Sequence, residues 1–111
     1  MKKQLYVEIG NRLREKRESV GYTREKLAEL ADLSSRFIAN IELGDNGVSI
    51  ETLKKLCELL GVSSDYILWG VEEQEYAEIT GKLAHLDARY HKLLGDVIQK
   101  FVEAVALAEN R

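Results

Sequence analysis

Between Leu33 and Leu43 the chain reads LSSRFIANIEL, and its polar members fall where a helix would leave them uncovered. Placing Ile38 and Ile41 against a core turns Ser35, Arg36, Ala39 and Asn40 to the opposite side of the same helix. No core would take up Ser34, Ser35 and Arg36. Two small hydroxyls and an arginine at the exposed start of a helix offer little bulk and several hydrogen bonds. That combination suits the groove of a nucleic acid.

The elements that must hold this surface are legible from spacing and punctuation. Leu5, Ile9, Leu13 and Val20 predict a first helix from about Leu5 to Val20, stopped by Gly21. Thr23 is placed to cap a second helix ending near Asp32, with Leu27, Ala28 and Ala31 on its apolar side. Ser34 caps a third helix to Leu43, closed by Gly44 and followed by the turn-rich stretch DNGV. Ser49 caps a fourth, with an expected core face of Ile50, Leu53, Leu56, Cys57 and Leu60 and a stop at Gly61. Ser63 or Ser64 opens a short, apolar fifth helix, DYILWG. Helices this short must cross at steep angles rather than form a bundle.

The run VEEQE after Gly70 marks a boundary, giving an expected division into residues 1–70 and 71–111. Beyond it Tyr76, Ile79, Leu83 and Leu86 recur at helical steps. Asp87 could cap a last helix bearing Tyr90, Leu94, Val97, Ile98, Phe101, Val102 and Val105. Stripes so apolar call for a covering surface, either the first domain or a second copy of the tail. The fold class expected is all-α.

Composition sets wide bounds. The 111 residues are 45% hydrophobic and contain no proline and one cysteine, Cys57. The apolar runs are too short for a membrane span, and the charged N-terminal stretch is unlike a secretion signal. A reducing, cytoplasmic setting is expected. The net charge of −3 is unevenly spread. Residues 1–70 carry eleven basic and eleven acidic side chains, whereas residues 71–111 carry five and eight. A neutral domain can still grip DNA when its cations share one face, because affinity follows local phosphate contacts.

Taken together, IGNRLREKRESVGYTREKLAELADLSSRFIANIELG and SIETLKKLCELLGVSSDYIL resemble the Xre/Cro type of helix-turn-helix, the lambda-repressor-like regulators. The resemblance spans residues 9–68. It implies a five-helix DNA-binding domain followed by a helical, two-helix dimerisation tail. It also implies a homodimer on double-stranded DNA that acts most simply as a repressor at an inverted repeat. The third helix would enter the major groove. The family's base-reading positions fall on Ser35, Arg36, Ala39 and Asn40. There arginine suits guanine O6/N7 and asparagine suits adenine N6/N7, each good for about 1–3 kcal/mol of discrimination. Its backbone-contact positions fall on Thr23, Arg24, Ser34 and Asn46, and its structural ion pair on Arg17 and Glu42.

The chain departs from the family pattern at three points. Arg24 replaces a glutamine, Asp32 replaces the glycine of the turn, and DNGV puts Asp45, which repels phosphate, beside Asn46.

Against catalysis, the sequence has no phosphate-binding glycine loop and no Ser/His/Asp set in recognisable context. His85 and His91 are too far apart in register to share a metal, so neither metal nor cofactor is expected. Cys57 reads as a small core residue, and Lys54 and Lys55 as a solvated helix face. The tail residues from Tyr76 to Val105 named above are the expected dimerisation surface. The alternative reading is a protein-interaction module, such as an antitoxin, whose acidic, apolar tail grips a heterologous partner while DNA binding is secondary.

Overall fold

The structure, a computed structural model, describes residues 2–110, with the side chains of Glu73 and Tyr76 outside the description. The chain is all-α. Its helices are α1 (Gln4–Ser19), α2 (Arg24–Ala31), α3 (Ser35–Glu42), α4 (Ile50–Leu60), α5 (Ser64–Trp69), α6 (Glu73–Ala84) and α7 (His91–Glu109). A 3-10 turn, Ala88–Tyr90, leads into α7.

Hydroxyl caps start four of these helices. Thr23, Ser34, Ser49 and Ser63 each accept a hydrogen bond from a backbone N–H three residues on, at 3.0–3.1 Å. Each such cap stabilises its helix by about 1 kcal/mol. Ser63, not Ser64, is therefore the cap of α5. At the other ends, Gly21, Asp32, Gly44 and Gly61 take positive φ. The reversal lets the next N–H reach back to the last turn, as Leu33 N–H does to the Ala28 carbonyl at 2.9 Å. Among the described residues Asp32, at φ 57°, is the one non-glycine residue in this region.

Compact packing divides between Glu73 and Gln74. In the first unit α1 packs on α3 and α5, α2 on α3 and α4, and α4 on α5. Leu27, Ile38, Ile41, Leu56 and Ile67 are the largest fully buried side chains, so α2 to α5 all supply the centre. Three apolar residues placed on core faces from their spacing lie outside it instead. Leu5 and Val20 are exposed, and Ile50 is 86% exposed. Each sits at a helix end, Leu5 in the first turn of α1, Val20 just past its last and Ile50 opening α4.

The α1–α3 crossing depends on two residues of α1. Gly10 is buried, and a Cβ there would run into the Ile41 carbonyl oxygen and lie 2.7 Å from that of Glu42. Both obstacles are backbone and cannot swing aside. Two turns further along, Arg17 continues the buried Ile9–Leu13 stripe at 8% exposure and meets Glu42, itself 4% exposed. Arg17 Nε donates to Glu42 Oε2 at 2.6 Å and Nη2 to Oε1 at 3.1 Å. Its Nη1 donates to the Tyr22 carbonyl at 2.8 Å. The bond to Glu42 raises the Arg17 pKa above its usual value against the opposing pull of burial.

The second unit holds α6, the 3-10 turn and α7. Asp87 caps the turn, accepting from Arg89 N–H at 3.0 Å, so the last helix begins only at His91. Leu83 and Leu94 are partly covered. Ile79, Leu86, Tyr90, Val97, Ile98, Val102 and Val105 are exposed, and Phe101 is 69% exposed. The remaining residue of the expected tail surface, Tyr76, lies outside the described side chains.

Two outcomes check this packing. Gly10→Ala forces α1 off α3 and lowers stability by about 1–3 kcal/mol in urea unfolding. An unchanged midpoint would show that the two helices do not touch at this point. Glu42→Leu strands the Arg17 charge and costs about 3–5 kcal/mol, and adding Arg17→Met recovers most of it. Additive losses in that double-mutant cycle would mean that the two side chains are not coupled.

Candidate nucleic-acid interface

The surface of interest is built by α2, its turn and α3. Leu27, Ala28 and Ala31 are buried on one helix, Ile38 and Ile41 on the other, and Leu33 packs against the same core from the turn. With those anchors inward, Ser35 and Arg36 are exposed, and Ala39 and Asn40 are partly exposed beside them. Among the described residues Arg36 makes no hydrogen bond and no ion pair. A guanidinium with all five donors available, on a helix fixed from behind, can take two acceptors at once.

The residues around it hold the rim. The Thr23 and Ser34 oxygens accept from the backbone of α2 and α3, which leaves each hydroxyl hydrogen free to donate outward. Asn46 is exposed in the α3–α4 loop. Asp45 beside it is not a bare negative charge, because Lys2 Nζ lies 3.3 Å from its carboxylate and also donates to the Leu43 carbonyl at 3.0 Å. Lys2 stands more than forty positions away in sequence, and no local pattern links it to that loop.

Arg24 is placed differently from a freely extended phosphate ligand. Its Nε donates to Glu42 Oε1 at 2.9 Å, which adds a third N–H donor to the carboxylate that Arg17 already holds. The first residue of α2 is thereby tied to the last residue of α3. Lys55 adds a second brace, donating from α4 to the Ala31 carbonyl at 3.0 Å, so it is not the idle surface lysine its spacing suggests. Arg12 does the same between α1 and α5, reaching the Ile67 carbonyl at 2.9 Å. In sequence Arg24 opens α2 while Arg12 and Lys55 lie inside α1 and α4, so no local signal marks their partners and pairing them requires the fold.

An apolar groove of about 690 Å³ runs beside α4 and α5, lined by Leu53, Cys57, Val62 and Leu68 among others. Burial pushes the Cys57 thiol up, away from the reactive thiolate. Among the described residues no cluster of His, Cys, Asp and Glu could hold a metal ion. The His91 Nε2 instead lies 3.1 Å from the Leu86 carbonyl oxygen. No helix among the described residues is long and apolar enough to cross a membrane.

Comparison with known proteins bears on the same region. Residues 13–67 match a family model described as helix-turn-helix. The SPbeta prophage-derived HTH-type transcriptional regulator YonR of Bacillus subtilis is 31% identical over 89 residues, covering 79% of this chain and 82% of that one. The HTH-type transcriptional regulator SinR of Bacillus subtilis is 31% identical over 91 residues, covering 81% and 77%. The crystal structure of SinR, the master regulator for biofilm formation, in complex with DNA superimposes with a TM-score of 0.52 at 33% identity, over 54% of this chain and 97% of that one. Sequence relatives over most of both lengths, and a shared helical frame around α2 and α3, carry one conclusion: this chain belongs to the Xre/Cro-type helix-turn-helix family of transcriptional regulators, which are DNA-binding proteins and not enzymes.

Proposed function

We propose that this protein is a cytoplasmic, sequence-specific reader of double-stranded DNA that represses transcription by occupying an inverted-repeat operator as a homodimer. The observation that carries the reading is the division of α3. Ile38 and Ile41 are buried behind it, while Ser35, Arg36, Ala39 and Asn40 remain accessible on its other side. In this reading the helix lies in the major groove with those four residues toward base edges, and Thr23, Arg24, Ser34 and Asn46 toward phosphates. The first domain, residues 1–70, binds DNA and the remainder, 71–111, joins two copies. Support comes from SinR, whose structure was solved with DNA, and from the P22 c2 repressor, solved with a synthetic operator and 27% identical with a TM-score of 0.55.

Dimerisation through the tail draws on α7. Val97, Phe101 and Val105 lie exposed along one side of it with the partly covered Leu94, an apolar face that a second copy can cover. Two α3 helices held this way would read half-sites about 10 bp apart, or a multiple of that. The same exposed face favours one other reading, in which a heterologous protein covers the tail and DNA binding is secondary.

Selection of bound sites from a random duplex pool tests the primary reading. It should enrich an inverted repeat whose affinity falls steeply with salt. A folded protein that enriches no sequence would transfer the role to the partner-binding reading. At the recognition helix, Arg36→Ala should weaken specific binding by about 1–3 kcal/mol and relax one base position. Unchanged affinity and base preference would remove Arg36 from the readers. In the tail, Phe101→Ser should convert a dimer in sedimentation velocity to a monomer, since a central aromatic truncation commonly costs about 2 kcal/mol or more. A wild-type chain that sediments as a monomer would instead point to a missing partner.

A further inference from the structure

The Arg24 side chain has two ends in different environments. Its Nε is spent on Glu42 Oε1 at 2.9 Å, in a carboxylate that is 2% exposed. The Arg24 side chain as a whole is 34% exposed, against 9% for Arg17 on the same carboxylate. Among the described residues its two terminal nitrogens have no hydrogen-bond partner. Glu18, an acidic side chain beside this cluster, accepts from Arg14 Nε at 2.9 Å and lies 3.7 Å from Arg17 Nη2. Two arginines share the Glu42 carboxylate, and of the two it is Arg24 whose guanidinium keeps an open, solvent-facing end.

Resting on the DNA-binding reading above, we infer that Arg24 works at both ends at once. Its Nε stays on Glu42 while its terminal N–H groups hold a backbone phosphate. Glu42 thereby acts as a positioning residue for a DNA contact as well as the partner of Arg17. The physical advantage is pre-organisation. The guanidinium is already oriented by a buried carboxylate, so less side-chain entropy is lost when phosphate arrives. A glutamine at this position would offer one donor group and no charge. A lysine would offer charge, but its three N–H groups radiate from a single atom, so it lacks the spaced, planar donors that let a guanidinium keep one edge on buried Glu42 and turn the other outward. The departure from the family's glutamine is then a change of device. The phosphate contact becomes mechanically linked through Glu42 to the end of α3 and through Arg17 to α1.

The test uses the full chain and a fluorescein-labelled mixed-sequence duplex, titrated across a salt series, for wild type, Arg24→Lys and Arg24→Ala. Thermal unfolding of each variant is recorded alongside. Both variants are expected to remain folded and to bind more weakly, with the slope of log affinity against log salt reduced by about 0.9 per bound copy. In parallel, the Arg24 Nε–H resonance of 15N-labelled wild-type protein, assigned by its loss in Arg24→Lys, should persist when DNA is added. Wild-type affinity and slope in Arg24→Lys would overturn the two-ended contact, leaving only a point charge. Loss of the Nε–H resonance on DNA would overturn it too, because the side chain would then leave Glu42 to meet phosphate. If the wild-type chain shows no salt-dependent binding to any duplex, the DNA-binding reading itself falls and this inference with it.

Discussion

Glu42 holds its charge at 4% exposure, a placement that costs several kcal/mol of lost hydration unless donors surround the carboxylate. Arg17 and Arg24 supply three N–H groups, and they come from α1 and α2 while the carboxylate belongs to α3. A buried charge of this kind tolerates few arrangements, so the three helices are held in one register. The same cluster reaches the Tyr22 carbonyl, which fixes the chain between α1 and α2. Everything on the outer side of α3 inherits its direction from this inner contact.

Close approach is the second half of that constraint. Gly10 lets α1 lie directly on the last carbonyls of α3, and a methyl group there would push the acid away from its arginines. Apolar burial by Leu27, Ile38, Ile41, Leu56 and Ile67 supplies the bulk of the driving force, but it is non-directional. Orientation comes from the charged cluster and from lysine and arginine braces on helix-terminal carbonyls. Reading bases needs orientation more than it needs stability, since a donor displaced by an ångström no longer meets its acceptor.

The tail obeys different physics. Its helices expose an apolar side in the single chain, and both carry an interior glycine, Gly81 and Gly95, with open space where a Cβ would stand. Each such glycine weakens its helix by roughly 0.5–1 kcal/mol relative to alanine. Helices of that kind gain most of their stability from whatever covers them. Helical periodicity alone identifies the stripe from Leu94 to Val105. What covers it is a property of an assembly, and no periodicity in one chain encodes that.

By itself the sequence determined the elements and their polarity. Hydroxyl caps at Thr23, Ser34 and Ser49, glycines past the helix ends, and buried isoleucines four and seven positions after Ser34 are local signals, governed by contacts within a few residues. They were enough to turn Ser35, Arg36 and Asn40 outward. The apolar spacing overreached at Leu5, Val20 and Ile50, because a periodic pattern does not record which helix-end residues the tertiary packing leaves exposed. Only the tertiary structure decided that Arg24 leans on Glu42, that Lys2 answers Asp45, and that Lys55 braces the turn. Those contacts join residues 18 to 43 positions apart, and a long flexible cation finds its partner only after packing has brought the two ends together.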